Sequence, residues 1–451
     1  MFPQKHAICI GKFYQYSDNA AAWRYQLLQG RRGSLRLLVF TEHFPPYLGS
    51  DRTIFELCME AARSGNKIHF VATQPLRYLL GKRPRDWSYK KNWTIPPPEV
   101  HPNISYRYLL VGRLLERLWS LMWPLAYLLT IILFTQKSIR ELRSFSPDVT
   151  VVSHASPIVG LVSVLASKLC RKPILMMCPD WMAAYAAELR NQTLHDLGPA
   201  LINTLEIALI KQSNRSIMVT EFLQRALSTY GVSLKKSEVI PNGVNTTIFS
   251  PNKDAEKTRK KYDLVDNTIV LFAGHLDAWT GIEVLSLLSE ELAKEVPNAR
   301  IVLVGAGNAV KQLQETLRER NLQHVLHYVG QKPFSEMPEH IALADVAICI
   351  FPSTLVSHAA SPLKLFEYMA TEVAIVATRV AGTAEVLTPK AALLVNPRNK
   401  EDICSAVVRL CKDPDLRKEL AKEARRLCVE LYSWQSLSVS FIRACHTAIN
   451  A

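Results

Sequence analysis

The stretch Leu35-Arg36-Leu37-Leu38-Val39-Phe40, a loop holding Pro45-Pro46, a helical pattern over about 53–63, Gly65 and the run 67–72 (KIHFVA) together decide the fold class. The first and last runs are short and mostly apolar, as strands buried on both faces of a parallel sheet must be. The helical pattern between them, stopped by a glycine, makes a strand–loop–helix–strand unit, the repeating piece of doubly wound sheets. Such units recur. Residues 148–153 (DVTVVS), a small-residue helix over 156–169 and the run 173–178 (PILMMC) form one, and 214–219 adds a strand. The pattern restarts at 268–273 (TIVLFA), with strands expected at 300–304, 325–329, 346–350 and 374–377.

A chain of 451 residues exceeds one ordinary core. The reading is therefore α/β, with two Rossmann-like doubly wound domains facing across a cleft. The expected division is a poorly organised extension over 1–34, an N-terminal domain over 35–245 and a linker over 246–266, polar from 250. A C-terminal domain over 267–431 and a terminal helix over 432–451 complete it. Ligands of such sheets sit at the carboxyl ends of the strands, hence in the cleft.

Lys and Arg number 54 against 40 Asp and Glu, a net charge of +14 that favours anionic partners. The clusters Arg259-Lys260-Lys261 and Lys235-Lys236 are too short for a nucleic-acid arm, and no nucleic-acid partner is expected. The nine cysteines are odd in number and contain no C-x-x-C pair, which points to unpaired thiols in a reducing compartment and away from zinc. No cleavable signal peptide is visible in the first 34 residues, so a cytoplasmic location is expected.

Residues 118–134 (LWSLMWPLAYLLTIILF) carry no charge. A single crossing there would divide strands of one sheet across the bilayer, so the segment either enters the core or lies in one leaflet. Trp119, Trp123 and Tyr127, with Arg107, Arg113, Arg117, Lys137, Arg140 and Arg143 around them, favour contact with an anionic membrane surface, peripheral or monotopic.

Three segments bear on chemistry. In Phe44-Pro45-Pro46-Tyr47-Leu48-Gly49-Ser50, Gly49 lets the backbone approach a ligand beside a helix N-terminus. Ile240-Pro241-Asn242-Gly243-Val244-Asn245 alone reads as a turn. In Ser361-Pro362-Leu363-Lys364-Leu365-Phe366-Glu367-Tyr368-Met369-Ala370, Ser361 is placed to cap a helix and Pro362 to fill its first turn. The open N–H groups there, with Lys364, suit a diphosphate, and Glu367 one turn on suits ribose hydroxyls. Surface charge is the plainer reading of Lys364 and Glu367 taken singly.

In order and spacing these segments resemble the family 4 glycosyltransferases of the GT-B fold, over most of 35–450. The stretches 153–160 (SHASPIVG) and Pro179-Asp180-Trp181 are similar to members that modify lipid-linked sugars, and Tyr432-Ser433-Trp434 to the helix that returns to the N-terminal domain. The resemblance implies a retaining transfer from a nucleotide sugar, which is a substrate, to a lipid-linked acceptor or polysaccharide precursor, with no cofactor and no metal. It implies that Gly49 faces the donor phosphate and sugar and that Glu367 holds the ribose. It also places Leu363 and Lys364 on the diphosphate, Gly305 and Gly307 along the donor pocket, and Lys332 near the base.

Two departures stand out. The family's glutamate eight residues before Glu367 is Ala359 here, with His358 beside it. The loop Gly274-His275-Leu276-Asp277-Ala278-Trp279-Thr280-Gly281 lacks the family's Arg and Lys, leaving His275 as a phosphate contact. Asp413-Pro414-Asp415 has the D-x-D pattern of metal-dependent transferases, but its place before a helical stretch reads as a cap. His154 and Asp180 follow strands where an acceptor enters, and either suits orienting or deprotonating a hydroxyl. The rival readings are a soluble transferase for a small metabolite, with 118–134 in the core, and a non-catalytic partner subunit of the same fold.

Overall fold

The computed structural model describes residues 34–42, 51–73, 101–109, 121–251, 255–276, 281 and 283–451. Gly49, nearly all of the 1–34 extension, the first three residues of 118–134 and the loop 277–280 lie outside them.

The N-terminal sheet contains β1 (Arg36–Thr41), β2 (Lys67–Thr73), β3 (Ile104–Leu109), β4 (Val149–Val152), β5 (Ile174–Cys178), β6 (Arg215–Met218) and β7 (Ser237–Val239). Its order is β3-β2-β1-β4-β5-β6-β7, every described pairing parallel. The helices on this side are α1 (Asp51–Arg63), α2 (Trp123–Phe145), α3 (Val159–Leu169), α4 (Met182–Glu188), α5 (Leu197–Lys211) and α6 (Glu221–Ser228).

The second sheet contains β8 (Thr268–His275), β9 (Ala299–Ala306), β10 (Leu326–Gly330), β11 (Val346–Cys349), β12 (Ala374–Thr378) and β13 (Leu393–Val395), in the order β10-β9-β8-β11-β12-β13. Its helices are α7 (Ala255–Lys261), α8 (Val284–Glu295), α9 (Ala309–Glu319), α10 (Met337–Ala342), α11 (Leu355–Ala359), α12 (Leu363–Ala370), α13 (Ala381–Ala384), α14 (Lys400–Lys412) and α15 (Pro414–Leu431). The last helix, α16 (Trp434–Ile449), crosses back to the first sheet.

Strand alternation builds the layers. In β1, Leu37 and Val39 pack with α1 and α16, while Leu38 and Phe40 pack with α2, α3 and α5 on the opposite face. The same alternation sends Val270 and Phe272 of β8 to one layer and Ile269 and Leu271 to the other. Each fully buried aliphatic or aromatic side chain contributes about 1.5–3 kcal/mol, so these four layers carry most of the stability.

The apolar stretch forms the first half of α2. One stripe, including Ala126, Ile131, Phe134 and Leu142, packs into the core, while Trp123, Leu125, Leu128 and Ile132 are exposed. Glu141, buried in the last turns, holds Arg107 of β3 at 2.6 Å and His69 of β2 at 3.3 Å. One charge of the basic flank, that of the exposed Arg107, is thus paired with a buried carboxylate. Among the described residues no helix is long and apolar enough to cross a membrane.

Three strands escape the apolar-run reading. β3 is an edge strand whose ISYRYL exposes Ser105, Tyr106 and Arg107 in succession between buried ends, and β7 and β13 have three residues each. The polar stretch after 250 is more than a tether. It carries α7, whose Arg259 donates to the Leu343 carbonyl at 2.9 Å and pairs with Asp345 at 2.9 Å, fastening it to the second domain.

Candidate active site

Both sheets reverse strand order at a defined point, β1/β4 in the first and β8/β11 in the second, which is where doubly wound sheets open a crevice. The loops after β1, β4, β8 and β11 therefore hold the candidate residues.

On the second domain, α12 begins at Leu363 just beyond β11. The N–H groups of Leu363 and Lys364 start the helix and have no helical acceptor. The Lys364 ammonium lies 4.2 Å from the Phe272 ring centroid and 4.9 Å from that of Phe351. Burial pulls its pKa below the ordinary lysine value, against the raising effects of Cys349 and Glu367. Among the described residues no carboxylate forms an ion pair with it. The chain has thus placed a partly desolvated cation at the switch point, and an anionic ligand would supply the missing counter-charge.

Gly274 ends β8 next to this lysine, and a Cβ there would lie 3.8 Å from Lys364 Nζ. Gly305 pairs with Gly274 across β9, with φ +143°, and a Cβ on it would meet the Gly274 carbonyl at 1.9 Å. Gly307 likewise abuts Leu276, at 2.2 Å. The first demand on both glycines is close backbone approach at the strand ends. His275 is exposed at the tip of β8, whereas Lys332 is half-buried beyond the edge strand β10.

Ser361 departs from expectation. Pro362 is the N-cap residue of α12, and no side chain caps that helix. The Ser361 hydroxyl instead accepts from Asn242 N at 3.1 Å, and Asn242 Nδ2 donates to the Ser361 carbonyl at 2.5 Å. Thr53 of α1 donates to Asn242 Oδ1 at 2.6 Å. Asn242 is thus a buried joint between α1 and the start of α12, and the turn reading of 240–245 missed it. A buried amide satisfied from two domains is costly to disrupt.

Glu367 is buried on α12, and its Oε1 accepts from Arg52 Nη1 of α1 at 3.0 Å. Glu385 also reaches across, accepting from Glu221 N at 2.7 Å and Phe222 N at 3.1 Å in the first turn of α6. Burial raises Glu385 to about 7 despite these two donors.

On the first domain, His154 follows β4. Its Nδ1 lies 2.9 Å from Ser153 Oγ and 3.5 Å from Asp51 Oδ1, and Asp51 also accepts from the Thr41 hydroxyl at 2.8 Å. Asp180 is half-buried after β5. The turn behind it is held by α5. Trp181 Nε1 donates to Asn203 Oδ1 at 3.0 Å, and Glu206 accepts from Met182 N and Ala183 N, each at 3.2 Å. Burial raises the Glu206 carboxyl to about 8, with Asp180 adding to the rise. Asn203 and Glu206 were not singled out by sequence reasoning. Their signal was two polar side chains three residues apart on an otherwise apolar stripe.

Comparisons with known proteins bear on the family and the fold. The model described as Glycosyltransferase Family 4 matches residues 47–248, and Glycosyl transferases group 1 matches residues 254–427. The chain belongs to the family 4 glycosyltransferases. This transferase is 25% identical over 299 residues to a GDP-mannose-dependent alpha-(1-6)-phosphatidylinositol monomannoside mannosyltransferase of Mycolicibacterium smegmatis, covering 64% of this chain and 78% of the relative. Among solved structures it resembles Anabaena HepE in complex with UDP and glucose, with TM-score 0.66 and 16% identity over 91% of this chain and 98% of the other. Sucrose-phosphate synthase of Thermosynechococcus elongatus superposes with TM-score 0.66 and 19% identity, over 91% and 98% respectively. The fold is the two-domain GT-B arrangement.

The departure at Ala359 has a structural form among the described residues. Ala359 is 1% exposed and packed into the N-terminal core cluster, and its carbonyl lies 3.2 Å from the Thr220 hydroxyl. That position offers a ligand no carboxylate. His358 does not replace it. Its Nδ1 accepts from Ala381 N at 3.1 Å, which leaves the proton on Nε2, directed to Ser353 Oγ at 3.1 Å. The ring lies tilted against that of Phe222, with centroids 5.1 Å apart, and burial lowers its pKa. His358 is a fixed wall of the site. Asp413 caps α15, accepting from Leu416 N at 2.9 Å.

Proposed function

We propose that this glycosyltransferase moves a sugar, with retention of configuration, from a nucleotide sugar to a hydroxyl of a lipid-linked acceptor at an anionic membrane surface. The observation that carries the acceptor class is the outer face of the α2–α3–α5 layer. Trp123, Leu125, Leu128 and Ile132 on α2 are exposed, as are Leu165 and Leu169 on α3 and Leu197 and Leu201 on α5. Both of the latter pairs are spaced i, i+4, so each helix turns an apolar stripe outward. Lys137, Arg140, Arg143, Lys168 and Arg171 accompany them on or next to α2 and α3, a composition suited to anionic headgroups.

In this reading the diphosphate lies on the start of α12 with Lys364, and Glu367 takes the ribose. As the glycosidic bond lengthens, negative charge grows on the leaving diphosphate, and Lys364 and the helix N–H groups stabilise it. The acceptor hydroxyl enters from the side of His154 and Asp180, and its proton passes to the departing phosphate or to His154, oriented by Asp51. No metal or further cofactor takes part. The mycobacterial relative's GDP-mannose makes that donor the first to screen. The protein sits at the membrane surface without spanning it.

The test is flotation with vesicles of neutral lipid and of about one-third anionic lipid, followed by a screen of nucleotide sugars with membrane extract as acceptor. Binding to the anionic vesicles, lost on replacing Leu125, Leu128 and Ile132 with serine, is expected. Transfer to a small soluble metabolite by a protein that stays off vesicles would replace this reading with the soluble alternative.

A further inference from the structure

Arg52 and Glu367 stand 315 positions apart, one on each domain, yet their side chains meet at 3.0 Å and are only 12% and 10% exposed. Exposed ion pairs of long side chains are loose and contribute little. This one is fixed on three sides. Glu56, one turn further along α1, lies 3.6 Å from Arg52 Nε. The guanidinium carbon sits 3.7 Å over the ring of Phe334, which packs 5.7 Å from the ring of Phe249. Glu367 closes the front. Arg52 engages Oε1 alone, and among the described residues no side chain or backbone group donates to Glu367 Oε2.

We infer that Arg52 is a donor-positioning residue contributed by the N-terminal domain, holding the Glu367 carboxylate oriented so that Oε2 receives the ribose hydroxyls. The inference rests on reading Glu367 as the ribose contact and adds the residue through which that contact works. The planar guanidinium restrains rotation of the carboxylate. Because the pair bridges the domains, the ribose reads an assembled cleft: Glu367 is correctly set only when α1 is in place. The sequence adds a reason for such a device, since the 274–281 loop carries no Arg or Lys.

The experiment is titration calorimetry of the full chain with UDP and GDP, each compared with its 2′,3′-dideoxy counterpart. Wild type should prefer the ribose form of the nucleotide it binds by about tenfold or more. Glu367→Gln and Arg52→Met, which keeps the apolar contact with Phe334, should each bring that preference to within about twofold, and Arg52→Lys, which keeps the charge but not the stacked plane, should retain only part of it. The double variant should lose no more than either single one, as for two members of one unit. Thermal midpoints confirm folding, and Arg52→Lys, in which an undiminished preference would overturn the proposal, serves if Arg52→Met does not fold.

A contact that merely packs the domains would weaken both nucleotides equally and leave the preference intact in Arg52→Met, which overturns the proposal. Tighter binding of the ribose form by Arg52→Met also overturns it, because Arg52 would then be blocking the site. No heat from any nucleotide with wild type would overturn the donor-site reading underneath, a result distinct from both.

Discussion

Replacing Lys364 with methionine separates a structural lysine from one reserved for an anion. The ammonium faces the rings of Phe272 and Phe351 at 4.2 and 4.9 Å and is desolvated without a paired carboxylate among the described residues. Methionine fills nearly the same volume and removes the cost of enclosing a charge, at the loss of two cation–π contacts worth about 0.5–2 kcal/mol each. These effects oppose one another, so the unliganded variant should unfold within about 1 kcal/mol of wild type. Ligand binding should behave differently. A unit charge pair at about 4 Å in a site of effective dielectric near 20 interacts by about 4 kcal/mol, part of which is offset by desolvating the phosphate. A loss of about 2–4 kcal/mol weakens the nucleoside diphosphate by roughly 30- to 1,000-fold. At ligand set to 100 times the wild-type dissociation constant, wild type gains about 2.7 kcal/mol. A variant weakened a hundredfold gains only about 0.4 kcal/mol at the same concentration. Thermal unfolding with and without UDP or GDP, backed by calorimetry, measures both quantities. A variant that keeps the full ligand-induced stabilisation, or that loses several kcal/mol without ligand, would show that the lysine is there for packing.

The remaining expectations concern the joints of the molecule. A Cβ on Gly243 would lie 2.5 Å from the Tyr432 carbonyl and 2.6 Å from Leu437 Cδ1. Gly243→Ala should therefore destabilise by about 2–4 kcal/mol, combining overpacking with loss of the Val244–Tyr432 and Trp434–Val244 backbone bonds. Chemical denaturation measures this. Glu206, at about 8 in the folded protein against 4.5 when unfolded, takes up a proton on folding. Its contribution is complete below the unfolded value and lost as pH rises through about 8, so wild-type stability should decline across that window and Glu206→Gln should flatten the decline. A pH-scanned thermal melt of the two proteins decides it.

Much of the fold was legible because parallel strands buried on both faces leave uninterrupted apolar runs, as 35–40 and 268–273 do. β3 hid because an edge strand with Arg107 and Tyr106 outward carries no such run. The start of α12 was legible from Pro362 and Lys364, which act locally through helix geometry. Ser361 was misassigned for the opposite reason: its hydroxyl is taken by Asn242, 119 positions away, a competition that no local rule sees. Arg52 was invisible on the same ground, since nothing near it in the chain announces Glu367. His358 was readable as either wall or substitute ligand, and only the Ala381 N–H on its Nδ1 decides between them.

The return of α16 to the first sheet has a consequence for synthesis. Trp434, Phe441 and Cys445 cover the face of Leu37, Val39 and Phe70, and the crossing is pinned by the Val244–Ser433 bridge. A ribosome finishes the rest of that domain some two hundred codons before it delivers this lid. Until the final stretch emerges, the nascent chain carries an uncovered hydrophobic slab, so a stop codon near the end should harm the first-made half more than the half it truncates.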